Sequence, residues 1–214
     1  MKRHMTGRNN KGFSLVELII VIAIMALLVA IIVPSLLQYI NKAKKAVDIT
    51  TAESIGEVFT TELVSNDDMY KWYNWHLKEF GNNHSPQKYR LLAYSYSGSN
   101  GNQIFEVKNN SGSSGVDTTV LNGIMQDICY GIRPLKFHQT NYLDYWWICT
   151  DQTGKIFVFV GAGGHNCWNI EQVNTTTKAD VYKNDNGHSG RCFMIWPEVC
   201  ETYEHAKTPT DCYR

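Results

Sequence analysis

The sequence predicts an α+β fold, in which one long N-terminal α-helix packs on an antiparallel β-sheet and a disulfide-stapled region follows at the C-terminal end. Three observations lead to this prediction. An apolar run near the N-terminus continues in helical rhythm, aromatic and β-branched segments alternate with turn residues in the second half, and all six cysteines fall in the last 86 of the 214 residues. With 43% hydrophobic and 12% aromatic residues, the chain has enough apolar side chains for one core.

The first element is a stretch long enough to cross a membrane. The 20 residues from Leu18 to Leu37 carry no formal charge, and most are Ile, Val, Leu or Ala. As a helix that rises about 1.5 Å per residue, they span about 30 Å, the thickness of a bilayer's hydrocarbon core. Four basic residues and no acidic one precede this run, namely Lys2, Arg3, Arg8 and Lys11. The positive-inside rule keeps that end cytoplasmic, so we expect the remainder of the chain outside.

The helical pattern continues from Gln38 to Leu63. A mostly small and apolar stripe recurs every three or four positions: Ile40, Ala43, Val47, Thr50, Ser54, Val58 and Glu62. Charged residues fall mostly off this stripe: Lys42, Lys44, Lys45, Asp48, Glu53 and Glu57. The simplest interpretation is one helix from about Ser14 to Val64, roughly 50 residues and about 75 Å long. Because no small domain buries such a helix, half of it must enter a membrane or contact other copies of itself.

A single carboxylate, Glu17, stands at the start of the apolar stretch. A local explanation is a capping box, with Ser14 as N-cap and Glu17 reaching back to its backbone N–H. A second explanation is a cation from a partner, such as the free α-amino group of a neighbouring chain cut just before Phe13. The two explanations are compatible.

The segment Lys11-Gly12-Phe13-Ser14-Leu15-Val16-Glu17 resembles the processing site of type IV prepilins and of type II secretion or competence pseudopilins. In that family a short basic leader ends in Gly, Phe follows, and Glu is the fifth mature residue. Gly12, Phe13 and Glu17 match this pattern without gaps, and Pro34 stands where the family's membrane helix tends to carry a proline. The resemblance covers residues 11 to about 45, roughly a sixth of the chain.

This resemblance implies a filament subunit that catalyses nothing. A prepilin peptidase would cleave between Gly12 and Phe13 and N-methylate Phe13, whose new amine would pair with Glu17 of an adjacent subunit. Pro34 would ease helix packing in the filament core, or it is a tolerated membrane-helix proline. Further implied partners are copies of the chain itself and other pilins, an assembly ATPase and a platform membrane protein. The precursor is then a single-pass inner-membrane protein, and the mature chain an extracellular pilus filament.

The expected organisation has four parts. Residues 1–12 form a basic leader, 13–40 the transmembrane or filament-core helix, 41–65 the amphipathic half of the same helix, and 66–214 an extracellular globular head. The antiparallel sheet of the head is expected to pack against the second half of the long helix, in the ladle-like α+β arrangement of pilins.

Helices and a long loop are predicted in the first half of the head. A short helix is expected from about Asp68 to Phe80, where Tyr70, Trp72, Tyr73 and Trp75 crowd together. These aromatics either cover the core or bind a ligand such as a carbohydrate, and their bulk favours the core. Residues 97–115 are predicted to form a loop that is interrupted by a strand at Ile104–Val107. A helix from Thr118 to Tyr130 follows, with Asp117 as N-cap and Val120, Ile124 and Ile128 on one face.

Three strands are predicted in the second half of the head. Leu143–Thr150 and Lys155–Gly161 form a hairpin around Asp151-Gln152-Thr153-Gly154, and Arg191–Trp196 is the third strand. The segment after Pro197 is expected to be a disulfide-fastened C-terminal loop.

The cysteines favour disulfides over metal ligation. They are Cys129, Cys149, Cys167, Cys192, Cys200 and Cys212, with no Cys-x-x-Cys pair among them. An even number confined to one region of an exported chain is typical of a disulfide framework, while a metal site and free thiols stay open. A bridge between Cys200 and Cys212 is the first guess among the pairings.

Enzymes and nucleic-acid binders are disfavoured. Without its four N-terminal basic residues, the remainder has 16 basic and 20 acidic residues, a net charge of −4 and no basic footprint for nucleic acid. Neither Gly161-Ala162-Gly163-Gly164 nor Cys167-Trp168 completes a catalytic motif, and the histidines show no zinc spacing. No cofactor is expected; the one alternative is calcium at the acidic loop formed by Asp180, Asn184, Asp185, Asn186 and Gly187. Besides pilin and pseudopilin, an anchored, adhesin-like surface binding protein remains an alternative.

Overall fold

The computed structural model describes residues 12–78, 80, 89–97, 103–108, 115–138, 143–161, 167–174, 179–184 and 189–213. The chain divides into two compact units, residues 1–40 and residues 41–214. The predicted leader, residues 1–12, lies outside the described residues except for its last glycine.

One helix, α1, runs from Leu15 to Ser65 and confirms the long helix that the sequence predicts. Asn66 ends it and begins the next helix, α2 (Asp67–Lys78), because its side-chain Oδ1 accepts the backbone N–H groups of Asp68 (3.0 Å) and Met69 (3.2 Å). Such an N-cap satisfies donors that the first helical turn leaves without partners.

Seven strands form one antiparallel sheet, with the spatial order β2-β1-β3-β4-β7-β6-β5. Their bounds are Tyr89–Ser97 (β1), Gln103–Val107 (β2), Tyr145–Thr150 (β3), Ile156–Gly161 (β4), Cys167–Asn174 (β5), Ala179–Asn184 (β6) and Ser189–Trp196 (β7). The first residues of β1, Tyr89 and Arg90, also pair with Ile170 and Asn169 of β5. Six of the strands therefore close into a ring, and β2 extends it as an additional strand on β1.

The predicted β3–β4 hairpin is confirmed, and its turn has a clear cause. Asp151 Oδ1 accepts the backbone N–H groups of Thr153 (2.9 Å) and Lys155 (3.0 Å), and Gly154 takes a positive φ of 85° that other residues rarely adopt. The strands predicted at β2 and β7 are also present, whereas β1, β5 and β6 are absent from the sequence-based prediction.

Two further α-helices complete the described fold, α3 (Thr118–Ile128) and α4 (Glu201–His205). Asp117 caps α3 as predicted, since its Oδ1 accepts the N–H of Thr119 at 2.8 Å. Of the face predicted for α3, Ile124 and Ile128 pack against the core and Val120 is exposed, while Leu121 and Met125 are the fully buried residues of the helix.

Hydrophobic clusters lie on both faces of the sheet. On one face, Ala52, Ile55, Phe59 and Leu63 of α1 pack with sheet residues in the main core. The sheet contributes Trp146, Ile148, Val158, Val160, Phe193 and Ile195 to this core. The other face carries Tyr89, Leu91, Trp147, Cys149, Phe157, Phe159 and Cys192. Both faces of these strands are therefore covered, and β3, β4 and the second half of β7, Cys192–Trp196, are apolar at nearly every position.

The face of α1 that packs on the sheet is not the stripe that the sequence predicts. Its buried residues are Lys45, Asp48, Ala52, Ile55, Gly56, Phe59 and Leu63. The predicted stripe lies on the opposite side, where Ala43, Val47, Thr50, Ser54 and Val58 are exposed. Two residues assigned to the solvent side, Lys45 and Asp48, are instead buried.

The predicted disulfide staple is not supported, since no disulfide bond joins two of the cysteines that the structure describes. Cys149 on β3 and Cys192 on β7 are separated by β4, which keeps them at least about 10 Å apart at the usual strand spacing, and their partners on β4, Phe157 and Gly161, are four residues apart; this is too far for a disulfide. The expected bridge between Cys200 and Cys212 is not formed, although both lie in the main core. After Pro197 the chain forms α4 and a 3-10 helix, Pro209–Tyr213, in place of the expected loop.

Candidate processing and assembly site

The start of α1 has the geometry of a capping box. The backbone N–H of Ser14 donates to Glu17 Oε2 at 2.9 Å, and Ser14 Oγ accepts the N–H of Val16 at 3.3 Å. Leu18 N–H closes the first helical bond onto the Ser14 carbonyl at 3.2 Å. The local explanation for Glu17 is thereby confirmed, and the peptide bond between Gly12 and Phe13 lies just outside the helix.

The residues around that peptide bond are open to other molecules. Phe13 is 79% exposed, and a Cβ built onto Gly12 would meet no atom within 4 Å. No described residue therefore crowds a side chain at position 12.

Glu17 keeps capacity for a further partner. Its Oε2 accepts the Ser14 N–H, and no salt bridge to Glu17 occurs among the residues that the structure describes. A carboxylate offers about four acceptor positions in two oxygens, so the capping bond leaves most of them open. The capping role and a second, intermolecular role are thus geometrically compatible.

The apolar part of α1 is exposed along its whole length. Every residue from Leu15 to Tyr39 is exposed, including all the large Ile, Leu and Val side chains of this part. The helix is long and apolar enough to cross a membrane. Exposed apolar surface of this extent needs a bilayer or other protein chains to cover it.

Pro34 lies inside α1, which continues as a helix on both sides of it. Because proline has no N–H, the carbonyl of Ala30 lacks its usual helical donor there. Such a break is tolerated in membrane helices when neighbouring groups satisfy the carbonyl.

Lys45 fastens the amphipathic half of α1 to the C-terminal segment. Its buried Nζ donates to the carbonyl oxygens of Tyr203 (3.2 Å), Glu204 (2.5 Å) and Ala206 (2.8 Å), at the end of α4. Helix ends leave such carbonyls without partners, and a cation there also opposes the negative end of the helix dipole. Burial lowers the pKa of Lys45 below its usual value.

Asp48 lies one turn further along the same face and holds a second segment. Its two carboxylate oxygens accept the backbone N–H groups of Lys136 and Phe137, each at 2.7 Å, and the hydroxyl of Tyr203 at 3.3 Å. Burial raises the pKa of Asp48, and these donors oppose the increase. Extending the apolar series Leu63, Phe59, Ile55 and Ala52 backwards by helical steps reaches Asp48 and Lys45, and this signal was available in the sequence.

The other sequence-predicted positions do not assemble into a site. Among the described residues, no group of three or more His, Cys, Asp or Glu is placed to hold a metal ion. Asp180 and Asn184 of the proposed calcium loop lie on β6, and its remaining residues fall outside the described ranges. Burial raises the pKa of the Cys129 and Cys212 thiols to about 12, as for inert thiols, and the side chain of Cys167 is not described.

The predicted aromatic cluster on α2 is mostly part of the core. Trp72 and Tyr73 are buried, Trp75 is half-buried, and Tyr70 is 55% exposed. The core interpretation therefore holds for this helix, apart from one tyrosine.

Comparison with known proteins identifies the N-terminal part of the chain. A family model described as the prokaryotic N-terminal methylation motif matches residues 7–33. A search of curated proteins and a search of solved structures each found no match. Gly12, Phe13 and Glu17 lie inside the matched region, together with most of the exposed apolar part of α1. The chain therefore carries the signature of type IV prepilins and pseudopilins at its N-terminus.

Proposed function

We propose that this chain is the precursor of a structural subunit in a type IV pilus-like filament. A prepilin peptidase cleaves it between Gly12 and Phe13 and N-methylates Phe13, and the mature chain polymerises through its apolar helix. The observation that carries this proposal is the methylation-motif match over residues 7–33, in which Glu17 is the one carboxylate and the helix from Leu18 onwards is apolar and exposed.

Glu17 supplies the selectivity of assembly. Cleavage creates an amine at Phe13, and this cation pairs with Glu17 of an adjacent subunit. A charge in an apolar environment is costly alone, and the two charges offset each other only when the subunits dock in register. The capping bond to Ser14 orients the carboxylate while leaving acceptor positions for the incoming amine.

The implied pathway starts in the membrane. The precursor is a single-pass inner-membrane protein, and a cytoplasmic assembly ATPase and a platform membrane protein extract it into an extracellular filament. Pro34 accommodates helix packing within the filament core. The subunit has no catalytic role of its own.

Two alternatives remain. A type II secretion or competence pseudopilin shares the same motif and differs in the apparatus it serves. A single-pass anchored surface binding protein belongs to a different class, and exposed Tyr70 on α2 is compatible with it. An anchored surface protein would need neither a carboxylate at position 17 nor a Gly–Phe junction before it.

Two substitutions of Glu17 test the pairing. Glu17→Ala removes both the cap and the charge, whereas Glu17→Gln keeps an acceptor for the Ser14 N–H and removes only the charge. We expect both variants to insert into the membrane like wild type and to lose most filament incorporation, measured in surface-sheared material from cells with a complete assembly system. Ser14→Ala, which weakens the cap and keeps the carboxylate, is the matched control and should still assemble. Filaments formed by Glu17→Gln at the wild-type level would contradict the charge pairing.

A further inference from the structure

A cavity of about 500 Å³ lies beside β2, the strand at one end of the sheet order. Gln103, Ile104 and Phe105 of β2 form one wall of this cavity. The other wall comes from the C-terminal end of α3 and the segment after it, and includes Tyr130 and Arg133. The volume lies within the range of ligand-binding sites, about 300–1,000 Å³.

The register of β2 decides which of its backbone groups face this cavity. Lys108 N–H donates to the Leu92 carbonyl of β1 at 2.7 Å, whereas Val107 N–H points away from β1 and donates to Asn122 Oδ1 of α3 at 2.8 Å. Because the direction alternates along a strand, Phe105 also points its N–H and C=O away from β1. Within the described part of the chain, neither of these two groups of Phe105 has a hydrogen-bond partner.

The walls of the cavity are fixed, and the edge of β2 is unprotected. Trp146 Nε1 of β3 donates to the Arg133 carbonyl at 3.3 Å, and Ile132 N–H donates to the Cys129 carbonyl at 3.0 Å. Edge strands are often protected from further pairing by proline, lysine or a bulge. β2 (Gln103–Val107) contains no proline or lysine and pairs with β1 in unbroken register. A ligand therefore meets a preformed site, which keeps the entropic cost of binding low.

The lining favours a negatively charged ligand. Among the lining residues that the structure describes, Arg133 carries the only formal charge, and its side chain is exposed. A guanidinium group binds a carboxylate through two parallel hydrogen bonds. Tyr130, on the same wall, is 91% exposed and adds an aromatic surface.

We propose that this cavity binds an extended, acidic peptide segment of a partner protein, which adds to β2 as a further strand of the sheet. Along each edge of an extended chain, donors and acceptors repeat about every 7 Å. One residue of the segment can thus exchange two backbone hydrogen bonds with Phe105, while an Asp or Glu side chain of the segment reaches Arg133. The inference concerns the head alone and is independent of the proposed filament function.

Hydrogen exchange of the free, detergent-solubilised full chain is the first test. The Phe105 amide should exchange at least about tenfold faster than the amides of Ile104 and Glu106, which face β1. A Phe105 amide as slow as these two would show that the edge is already paired, and would overturn the proposal. Slowing that increases with protein concentration would assign the edge to a second copy of the chain, and would likewise overturn it.

A tethered peptide tests the strand addition itself. The probe is Thr-Val-Glu-Val-Thr-Gly-Gly-maleimide, joined to the full-length Tyr130→Cys variant, because tethering gives a millimolar effective concentration. Exchange of the Phe105 amide should slow at least about tenfold, with less than about twofold change at Ile104 and Glu106.

Two backbone-methylated forms of the probe are the matched controls. One carries N-methyl groups on its Val residues and the other on its Thr and Glu residues, so each form blocks one edge of the peptide. Exactly one of them should lose the protection of Phe105, because only one edge of the peptide faces β2. Protection by both forms, by neither form, or absent with the unmethylated probe would overturn the proposal.

Substitution of Arg133 tests the preference for an acidic segment. Arg133→Gln should reduce the protection of Phe105 by about two- to fivefold, and Glu→Gln in the probe should have the same effect, with no further loss when the two changes are combined. Lys136→Gln, an exposed cation that does not line the cavity, is the control and should leave the protection unchanged. An Arg133→Gln variant that protects Phe105 like wild type, or a Lys136→Gln variant that is equally impaired, would contradict the charge preference.

Discussion

Loss of Asp48 should weaken the attachment of the amphipathic half of α1 to the head. Asp48 is 1% exposed, and its carboxylate accepts two backbone N–H groups and the Tyr203 hydroxyl. In Asp48→Ala all three bonds are lost, and the N–H of Phe137 and the hydroxyl of Tyr203 stay buried without this acceptor.

The magnitude follows from these contacts. A hydrogen bond to a charged acceptor contributes about 1.5–3 kcal/mol, and a buried donor left without a partner costs about 1–3 kcal/mol. Relief of the desolvated carboxylate offsets part of this loss. We therefore expect Asp48→Ala to lower the free energy of unfolding by about 3–5 kcal/mol. For a chain of this length, that corresponds to a fall of about 6–20 °C in Tm.

The assay is thermal unfolding of the detergent-solubilised full chain, followed by the fluorescence of its buried tryptophans. Glu57→Ala, on the exposed side of the same helix, is the matched control and should leave Tm unchanged. Asp48→Asn keeps the size of the side chain but turns an amide N–H₂ towards a donor, so at least half of the loss should remain. An Asp48→Ala variant whose Tm lies within about 2 °C of Glu57→Ala would refute the anchoring role.

Two further predictions concern glycine packing and acid stability. Gly56→Ala should lower the free energy of unfolding by about 1–3 kcal/mol, because its Cβ would stand 2.5 Å from Trp196 Cε3. Gly123→Ala on α3, where a Cβ meets nothing within 4 Å, should raise the free energy of unfolding by about 0.5–1 kcal/mol. Urea unfolding that ranks the two variants the other way would be inconsistent with this packing. Burial, with Arg90 as a lesser cause, lowers the pKa of His76 from 6.5 to about 3 in the folded chain. As the pH falls, His76 is therefore protonated in the unfolded chain before it is protonated in the folded one. The free energy of unfolding consequently decreases as the pH drops from about 6.5 towards 3. The loss at pH 5 should be about 2 kcal/mol relative to neutral pH, and His76→Gln should reduce this dependence; an unchanged pH dependence in the variant would assign it to other groups.

The long helix and the β3–β4 hairpin were predictable because their signals are local. A charge-free stretch, a Ser14–Glu17 capping box and an Asp151–Gly154 turn each depend on neighbouring residues. The N-terminal methylation motif was predictable for the same reason, since it is read from consecutive positions.

The packing of α1 was not predictable from periodicity alone. The helix carries two faces of low polarity, and periodicity favours the stripe of smaller residues, whereas the structure buries the one through Ile55 and Phe59. Lys45 and Asp48 concealed the buried face, because charged residues are rarely buried unless they are paired. Their partners are more than 85 residues away in the sequence.

The missed strand β1 and the absence of a disulfide among the described cysteines both depend on contacts between segments distant in the sequence. β1 contributes residues to both hydrophobic clusters, so it lacks the alternation that marks a half-exposed strand. Cysteine count predicts a framework only if the fold brings sulfurs together, and the insertion of β4 between β3 and β7 depends on sheet order.

The most direct test of the central claim is the N-terminus of the protein in surface-sheared material from cells that express this chain and a prepilin peptidase. Mass spectrometry should find a mature chain that begins at N-methylated Phe13 in filaments. An intact N-terminus, recovered only in the membrane fraction, would contradict the account and indicate an anchored surface protein.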